Sequence, residues 1–352
     1  MATREIQLSL TPSARYEAID VSRRIAEAWG DALRRHRMSL YCSLHTTAGY
    51  LEQSLASRLL RQDGQLARFF HPFRTVFPPG APYRHDQMHL RTELSEEQRA
   101  VEPRNADSHL TFIGAGMRNC VTYRNREAEP VYFIDLDGTN QGERRCRTTT
   151  VLAYDEAEDV DRVTFPVPVS RHPVDSINLA DPKSGFTDGI DDLIARHGIE
   201  KGRVDIFLDP EERNAGLTVN EYETLLMRHD LAEVLRNPLR FAALKSRHML
   251  EDPRAVPAKT INYAKYDLVV LFNQLMEALQ MSESRVERLL SRLIAYPADR
   301  FLRLKRRVSF PVSCVDGRPR LVRGRYQSPI LVQWQPAERG RRDVEVALVR
   351  FL

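Results

Sequence analysis

The chain has 352 residues, which is enough for two domains of ordinary size, each with its own buried core. Apolar residues make up 42% and charged residues 28% of the chain, a balance typical of globular domains and unlike that of disordered or fibrous proteins. The net charge of +4 does not by itself point to a nucleic acid or membrane partner. Because no apolar run approaches the length of a membrane span, the sequence predicts a soluble, cytoplasmic protein.

The four cysteines are widely separated, and no two of them form a Cys-x-x-Cys pair. This spacing argues against a disulfide framework and against a zinc-finger site, and it favours a reducing compartment. Cys42 alternates into the apolar side of a predicted strand, so it is interpreted as a buried thiol.

The first half begins with a predicted strand, helix and strand. Residues 5–10 alternate between polar and apolar, apolar residues recur at helical spacing over 21–33, and residues 38–44 form a second strand-like run. A further strand is predicted at 130–138, where Asp135 and Asp137 face one side and are expected to meet nearby arginines. The segment 110–113 is also strand-like, and Gly114-Ala-Gly116 after it is interpreted as a turn.

An acidic run at 155–161 is the best linker candidate in the chain. After it the same order of elements returns, with a strand at 162–169, a helix at 186–197, a strand at 203–208 and a closing strand at 329–335. The sequence therefore predicts an internal duplication with a period of about 165 residues, giving tandem domains at 1–154 and 162–352. The second domain carries two extra helical segments at about 266–300, which predict an inserted helical hairpin with a packing or partner role.

Three histidines lie at notable places: His45 just past a strand, and His85 and His109 in predicted loops. Three neutral imidazoles that leave an open position match a catalytic divalent-metal site. Dispersed histidines are also common as surface residues or hydrogen-bonded core residues, so spacing alone leaves both interpretations open.

Four short motifs in the first half together resemble the YjbQ family of small single-domain proteins. They are His45-Thr-Thr-Ala-Gly49, Tyr83-Arg-His-Asp86, Asn105-Ala-Asp-Ser-His109, and Asp137-Gly138 followed by Arg144-Arg145. Each motif is short, and the resemblance depends on their order and spacing.

The second half resembles the family in complementary places. The segment 215–221, with Asn220 and Glu221, is similar to the family's Asn-Glu motif, and Gly324-Arg-Tyr-Gln327 is similar to its Gly-x-Trp-Gln strand. In contrast, Glu212 stands where the first half has His45, and Tyr266 stands where it has His109. Each half thus keeps what the other has lost.

The resemblance implies two tandem YjbQ-like α+β domains with β-sandwich-like cores, and assembly into a homo-oligomer. It also implies a thiamine-phosphate-synthase-like activity, in which a thiazole phosphate attacks a pyrimidine diphosphate and diphosphate leaves. A metal-dependent hydrolase or lyase acting on another small phosphorylated metabolite would need the same chemical groups.

The expected site takes residues from both halves. A divalent ion (Zn, Ni or Mn) on the three histidines would neutralise the leaving diphosphate. Asn105, Asp86 and Asp107 are the candidate catalytic residues, the two carboxylates by orienting an imidazole or acting as a base. The expected binders of a small anionic metabolite are Arg84, Arg144, Arg145, Asn220, Glu221 and Gln327.

Two alternatives stay open at this point. In one, the chain is a non-catalytic assembly or scaffold protein, whose duplicated domains and helical hairpin form a partner surface and whose histidines are residual. Whether the second half completes the site or is only a structural copy is also left open. In the other, the basic segment 300–352, with 13 Lys and Arg against four acids, binds nucleic acid. No aromatic residues alternate with the arginines of 318–325 in a stacking pattern, so nucleic acid is the less favoured partner.

Overall fold

The computed structural model describes residues 2–59, 65–81, 83, 85–91, 95–127, 129–171, 175–220, 306–333 and 335–352. The predicted insertion at about 266–300, Arg84, Glu221 and Tyr266 lie outside the described residues. Helices and strands are mixed throughout, as an α+β protein requires.

The described residues up to 154 form nine strands and five α-helices. The strands are β1 (Arg4–Leu10), β2 (Glu17–Asp20), β3 (Met38–Ser43), β4 (Ala48–Gly49), β5 (Cys120–Arg124), β6 (Tyr132–Asp135), β7 (Thr139–Asn140), β8 (Glu143–Arg144) and β9 (Arg147–Tyr154). The helices are α1 (Val21–Trp29), α2 (Gln53–Leu59), α3 (Gln65–Val76), α4 (Glu96–Val101) and α5 (Ala106–Gly114), with 3-10 turns at Gly30–Ala32 and Met88–Leu90.

The described residues after 154 contain eight strands and one α-helix. The strands are β10 (Ala157–Pro168), β11 (Asp175–Asn178), β12 (Gly202–Leu208), β13 (Ala215–Asn220), β14 (Arg307–Val315), β15 (Arg318–Leu321), β16 (Gln327–Gln333) and β17 (Arg341–Phe351). The helix is α6 (Phe186–Arg196), preceded by a 3-10 turn at Pro182–Ser184.

The strands pair in the same order on both sides of residue 155. The first half has a four-stranded sheet ordered β1-β9-β3-β5 and a three-stranded sheet ordered β2-β6-β4. The second half has a five-stranded sheet ordered β10-β17-β12-β14-β15 and a three-stranded sheet ordered β11-β16-β13. All of these pairings are antiparallel.

Period-two alternation identifies strands where one face is buried. In β1, Ile6, Leu8 and Leu10 are buried and their neighbours are exposed, which confirms the predicted strand at 5–10. The predicted helix at 186–197 and the predicted strand at 203–208 are also confirmed, with small differences at their ends.

The predicted strand at 110–113 is wrong, because these residues lie in helix α5. Residues 106–113 are buried on every side of this helix, so its apolar run shows no helical stripe. A short, continuously apolar run cannot be assigned to helix or strand by its period. His109 is therefore a helical residue rather than a loop residue.

The acidic run at 155–161 differs from its predicted form as a linker. Only Asp155 and Glu156 connect the two halves, and the chain is a strand from Ala157 onward. Strand β10 is hydrogen-bonded only to β17 and is largely exposed along its length, so it carries acids without burying them. Glu158 makes an ion pair of 2.8 Å with Arg350 of β17.

The two large sheets pack against each other. Leu40, Cys42 and Leu152 of the first sheet share an apolar cluster with Val349 and Phe351 of β17. Tyr154 of β9 stacks on Phe351, with ring centroids 3.8 Å apart and planes at 4°. The site described next lies near this junction, at the end of β3. No helix in the described part of the chain is long and apolar enough to cross a membrane.

Candidate functional site

The two histidines predicted in loops come together in the structure. His85 precedes the 3-10 turn Met88–Leu90, His109 lies on α5, and their ring centroids are 5.2 Å apart. Both side chains are buried. Asp86 accepts a hydrogen bond from His85 Nδ1 at 2.8 Å and another from the backbone N–H of Ala106 at 3.1 Å. Asp86 thus orients an imidazole and ties it to the start of α5, as the sequence predicts.

His45 lies at the end of β3, half-buried. Its Nε2 accepts a hydrogen bond of 2.7 Å from the backbone N–H of Thr148, at the start of β9. Burial, followed by the charges of Arg147 and Arg145, lowers the pKa of His45 to about 3. The ring is therefore neutral at pH 7, and because Nε2 accepts, its proton is on Nδ1.

Arg145 links the surface of the site to two buried polar groups. Its guanidinium is 30% exposed and forms an ion pair with Asp137. The same Asp137 oxygen accepts a hydrogen bond of 2.6 Å from Asn105 Nδ2. Asn105 Oδ1 is buried and has no hydrogen-bond partner among the described residues. A ligand with a hydrogen-bond donor would be stabilised at this atom, because leaving a buried acceptor unsatisfied costs about 1–3 kcal/mol of stability.

Arg147 and Asp135 form the most deeply buried ion pair of the site. Arg147 Nε donates to Asp135 Oδ2 at 2.6 Å and Nη2 to Oδ1 at 3.0 Å, a two-point contact. Nη2 also donates to the carbonyl of Asp137 at 2.6 Å. The expectation that Asp135 and Asp137 meet nearby arginines is confirmed.

Asp107 is engaged by the loop that follows β1. It accepts hydrogen bonds of 2.6 Å from both Arg15 Nη2 and the Tyr16 hydroxyl. Burial raises the pKa of Asp107 and, together with the Asp107 hydrogen bond, raises the pKa of Tyr16 to about 12. Gly138 lets this loop approach, because a Cβ there would lie 2.5 Å from the carbonyl oxygen of Ala14. Asp107 therefore contacts Arg15 and Tyr16, whereas the contact to an imidazole falls to Asp86.

Both His45 and His109 lie in a positive electrostatic field. Burial lowers the pKa of His109 well below its usual value, and the guanidinium charges of Arg145, Arg91 and Arg147 add to this effect. For His45 the corresponding charges are Arg147 and Arg145. An anion placed beside the two rings would be stabilised by these guanidinium groups.

The described residues do not form the predicted three-histidine metal site as a ready-made cluster. Among the described residues, no three His, Cys, Asp or Glu side chains form a group able to hold a metal ion. His45 Nε2 is already used by the Thr148 N–H, and its Nδ1 carries the proton, so binding a metal would break a hydrogen bond or require deprotonation. Metal binding remains a prediction.

The second half contributes Gln327, whose amide reaches the end of β3. Gln327 Nε2 donates to the carbonyls of Ser43 and His45 at 2.9 and 3.0 Å, and its Oε1 accepts from the Gly324 N–H at 3.0 Å. A Cβ at Gly324 would lie 1.9 Å from the carbonyl oxygen of Leu44. Gln327 thus holds the backbone that carries His45, and its amide is committed to that backbone rather than open to a ligand.

In the second half, Glu212 lies at the position that corresponds to His45, and it forms an ion pair with Arg342. Glu212 Oε1 accepts from the Asp343 N–H at 2.9 Å, as His45 accepts from Thr148, and Glu212 Oε2 pairs with buried Arg342 at 2.7 Å. Arg342 also donates to the side chain of Gln333 and to the carbonyl of Gln335. Arg147 makes the matching contacts with Asp135 and Asp137.

The remaining predicted residues are placed as follows. Arg144 is exposed on the two-stranded β7–β8 hairpin, and Arg145 follows directly after β8. The backbone of Asn220 pairs with Gln327 across β13 and β16, next to an irregularity in the register. Sequence reasoning missed Arg147, Arg15 and Arg91. For Arg147 a signal existed, because Arg145-x-Arg147 alternates in the same way as Asp135-x-Asp137.

Neither a family model nor a curated protein matches the chain. Solved structures that resemble it include a YbjQ-like protein of unknown function from Sulfolobus solfataricus P2, at 16% identity over 55% of this chain and 99% of that one, with a TM-score of 0.28. Another is a hypothetical protein from Aeropyrum pernix K1, at 18% identity over 44% and 99% of the two chains and a TM-score of 0.28. A third is an uncharacterized conserved protein of the YjbQ family from Clostridium acetobutylicum, at 18% identity over 42% and 97%, also with a TM-score of 0.28.

We expect His45 to make the protein less stable as the pH falls. The unfolded chain takes up a proton on this ring below about pH 6.5, whereas the folded chain does so only near pH 3. His45 therefore destabilises the fold progressively between these values, by about 1.4 kcal/mol per pH unit for one group, and has no such effect above them. Urea unfolding of wild type and His45→Asn between pH 8 and 4 measures this, with the variant gaining relative stability as the pH falls. Parallel profiles would show that the ring titrates normally.

Proposed function

We propose that the His45–Arg145 site binds the phosphate or diphosphate group of a small metabolite and that the protein is an enzyme acting at that group. The observation that carries this proposal is the pairing of neutral imidazoles with cationic neighbours. Both rings are uncharged at pH 7, because burial, and after it the positive charges of Arg145 and Arg147, lower their pKa values. This combination supplies hydrogen-bond donors and a positive field to an anion, without an imidazole charge that depends on pH.

Each residue has a distinct task in the proposed complex. Arg145 is the partly exposed guanidinium, and it would bind two phosphate oxygens by a fork of N–H groups. His45, held by Thr148, would donate its Nδ1–H to the same anion. Asn105 Oδ1, which has no partner in the part of the chain that the structure describes, would accept from a hydroxyl or amino group of the metabolite. Charge that develops on a leaving phosphate or diphosphate would be stabilised by Arg145 and by the field of Arg147.

Calorimetric titration with inorganic pyrophosphate tests the binding step. We expect Arg145→Met to weaken pyrophosphate binding at least 10-fold, because a hydrogen bond to a charged group contributes about 1.5–3 kcal/mol. Arg144→Met is the matched control, since it removes an equal charge from the adjacent exposed position, and its affinity should stay within about two-fold of wild type. Equal losses in both variants would indicate nonspecific charge attraction, and absence of binding in wild type would overturn the proposal.

Turnover separates an enzyme from a scaffold protein. The resemblance to the YjbQ family favours release of pyrophosphate from a pyrimidine diphosphate in the presence of a thiazole phosphate. A rate above the buffer control that falls in both Arg145→Met and His45→Asn supports catalysis at this site. If pyrophosphate binds but none of the phosphorylated metabolites tested is turned over, the protein is a binding protein rather than an enzyme. The closed Glu212–Arg342 pair favours a structural role for the second half in either case.

Metal content checks the predicted cofactor. Wild type purified without a histidine tag would be assayed for Zn, Ni and Mn by elemental analysis, beside His109→Ala. One equivalent of metal in wild type that is lost in the variant would support the three-histidine prediction. Protein that neither contains nor takes up these metals would contradict the prediction. Pyrophosphate binding would then depend on protein side chains alone.

We also propose that the chain is two diverged YjbQ-like copies. Two features support this: the matching strand orders of the two halves, and the matched contacts of Arg147 and Arg342. On this interpretation Gln327 of the second copy supports His45 of the first, so one chain builds one site. Homo-oligomer formation and a cytoplasmic location remain predictions.

A further inference from the structure

Two of the four cysteines, distant in sequence, meet in the first large sheet. Cys42 of β3 and Cys120 of β5 face each other, and their sulfur atoms are 3.1 Å apart. Both are free thiols and both are buried. The other two cysteines, Cys146 and Cys314, are exposed.

The strand register puts this pair at a position suited to a disulfide. Cys42 is paired with Cys120, and the next pair along the ladder is Ser43 with Asn119, in which the Ser43 N–H donates to the Asn119 carbonyl at 2.7 Å. Hydrogen-bonded and non-hydrogen-bonded pairs alternate in an antiparallel ladder, so Cys42 and Cys120 form a non-hydrogen-bonded pair. Such pairs have Cα atoms about 4.5 Å apart, which lies within the range that a disulfide spans.

A small molecule can reach the pair from one side. A polar cleft of 170 Å³ lies between the two large sheets, and Cys120 is part of its wall. Arg118, Arg203 and Arg307 also line the cleft. Arg203 is held by Asp205 at 2.9 Å and lies close enough to both cysteines for its charge to act on them. Cys120 lines the cleft and Cys42 does not, so Cys120 is the thiol placed to meet an oxidant first.

We propose that Cys42 and Cys120 form a peroxide-oxidisable pair that closes to a disulfide within the folded protein. The Cys120 thiolate attacks hydrogen peroxide, an S–O bond forms, the O–O bond breaks, and hydroxide leaves to give a sulfenic acid. The Cys42 sulfur then attacks the Cys120 sulfur, an S–S bond forms, and the oxygen leaves as water. In total, two thiols lose two electrons and two protons, and one peroxide becomes two waters.

The test uses the full chain with the exposed thiols removed, as Cys146→Ser/Cys314→Ser. The folded protein is treated with hydrogen peroxide, quenched with catalase, unfolded in the presence of N-ethylmaleimide, and weighed by mass spectrometry. We expect loss of two hydrogens, no maleimide adduct, and a non-reduced proteolytic peptide that joins Cys42 to Cys120. Thermal unfolding should shift upward after oxidation, because the link restrains the unfolded chain.

Two further variants make the result specific. In Cys42→Ser, oxidation should stop at Cys120 as a sulfenic or sulfinic acid, seen as added oxygen. In Arg203→Met, the disulfide should form more slowly at the same peroxide concentration, with circular dichroism confirming that the variant is folded. Both thiols remaining open to maleimide after peroxide, or a link that forms only once urea has unfolded the protein, would overturn the proposal.

Discussion

Replacement of Arg147 by methionine should destabilise the protein by about 3–5 kcal/mol, one of the two largest effects that we expect. Its two-point contact with Asp135 is buried on both sides, and removal of the guanidinium would leave an uncompensated carboxylate in the core. The backbone carbonyl of Asp137 would lose its donor in the same step. Urea unfolding at pH 7, followed by circular dichroism, measures the loss.

The matched control is Arg144→Met, which removes the same charge from an exposed position three residues earlier and should change stability by less than about 0.5 kcal/mol. The double variant Arg147→Met/Asp135→Asn should recover part of the loss, because the buried charge is then gone as well. If Arg147→Met and Arg144→Met have the same free energy of unfolding, the buried Arg147–Asp135 pair does not stabilise the protein.

Replacement of Gly324 by alanine should separate the second half from the end of β3. The added methyl group would lie 1.9 Å from the Leu44 carbonyl oxygen, so the segment 324–327 must move. The hydrogen bonds from Gln327 to Ser43 and His45 depend on that segment. We expect a loss of about 1–3 kcal/mol, as for other over-packed contacts, together with weaker pyrophosphate binding because His45 loses its support.

Gly189→Ala is the steric control, since it adds the same methyl group inside helix α6, 3.1 Å from a side-chain carbon of Phe165 rather than from backbone, and should cost less than Gly324→Ala. Gln327→Ala tests whether Gly324→Ala destabilises the protein by displacing Gln327. If Gly324→Ala acts by displacing Gln327, the two substitutions should be less than additive in unfolding free energy. Full additivity, with unchanged pyrophosphate affinity, would show that the inter-half contact is independent of the site.

Sequence patterns predicted the regular elements well where one face is buried and the other is exposed. They failed for α5, because a helix buried on all sides has the same apolar run as a buried strand. They also took the start of β10 for a linker, because an exposed edge strand tolerates the acids that a solvated connection carries. For the site, the chemistry of the short motifs drew attention to His45, His85, His109 and Arg145. It did not find Arg147, which lies in no motif.

The amino-acid sequence by itself determined the strands and helices that bury one face and expose the other, such as β1, α6 and β12, because alternation and helical spacing are local properties of the chain. It also determined the chemical groups available for a site: imidazoles, guanidiniums and carboxylates in short motifs. Only the tertiary structure decided how those groups are used, because pairing partners and proton positions depend on contacts between distant segments. Burial and two arginines keep His45 neutral, Thr148 fixes its tautomer, and the ladder between β3 and β5 brings together two thiols that are 78 positions apart in the chain.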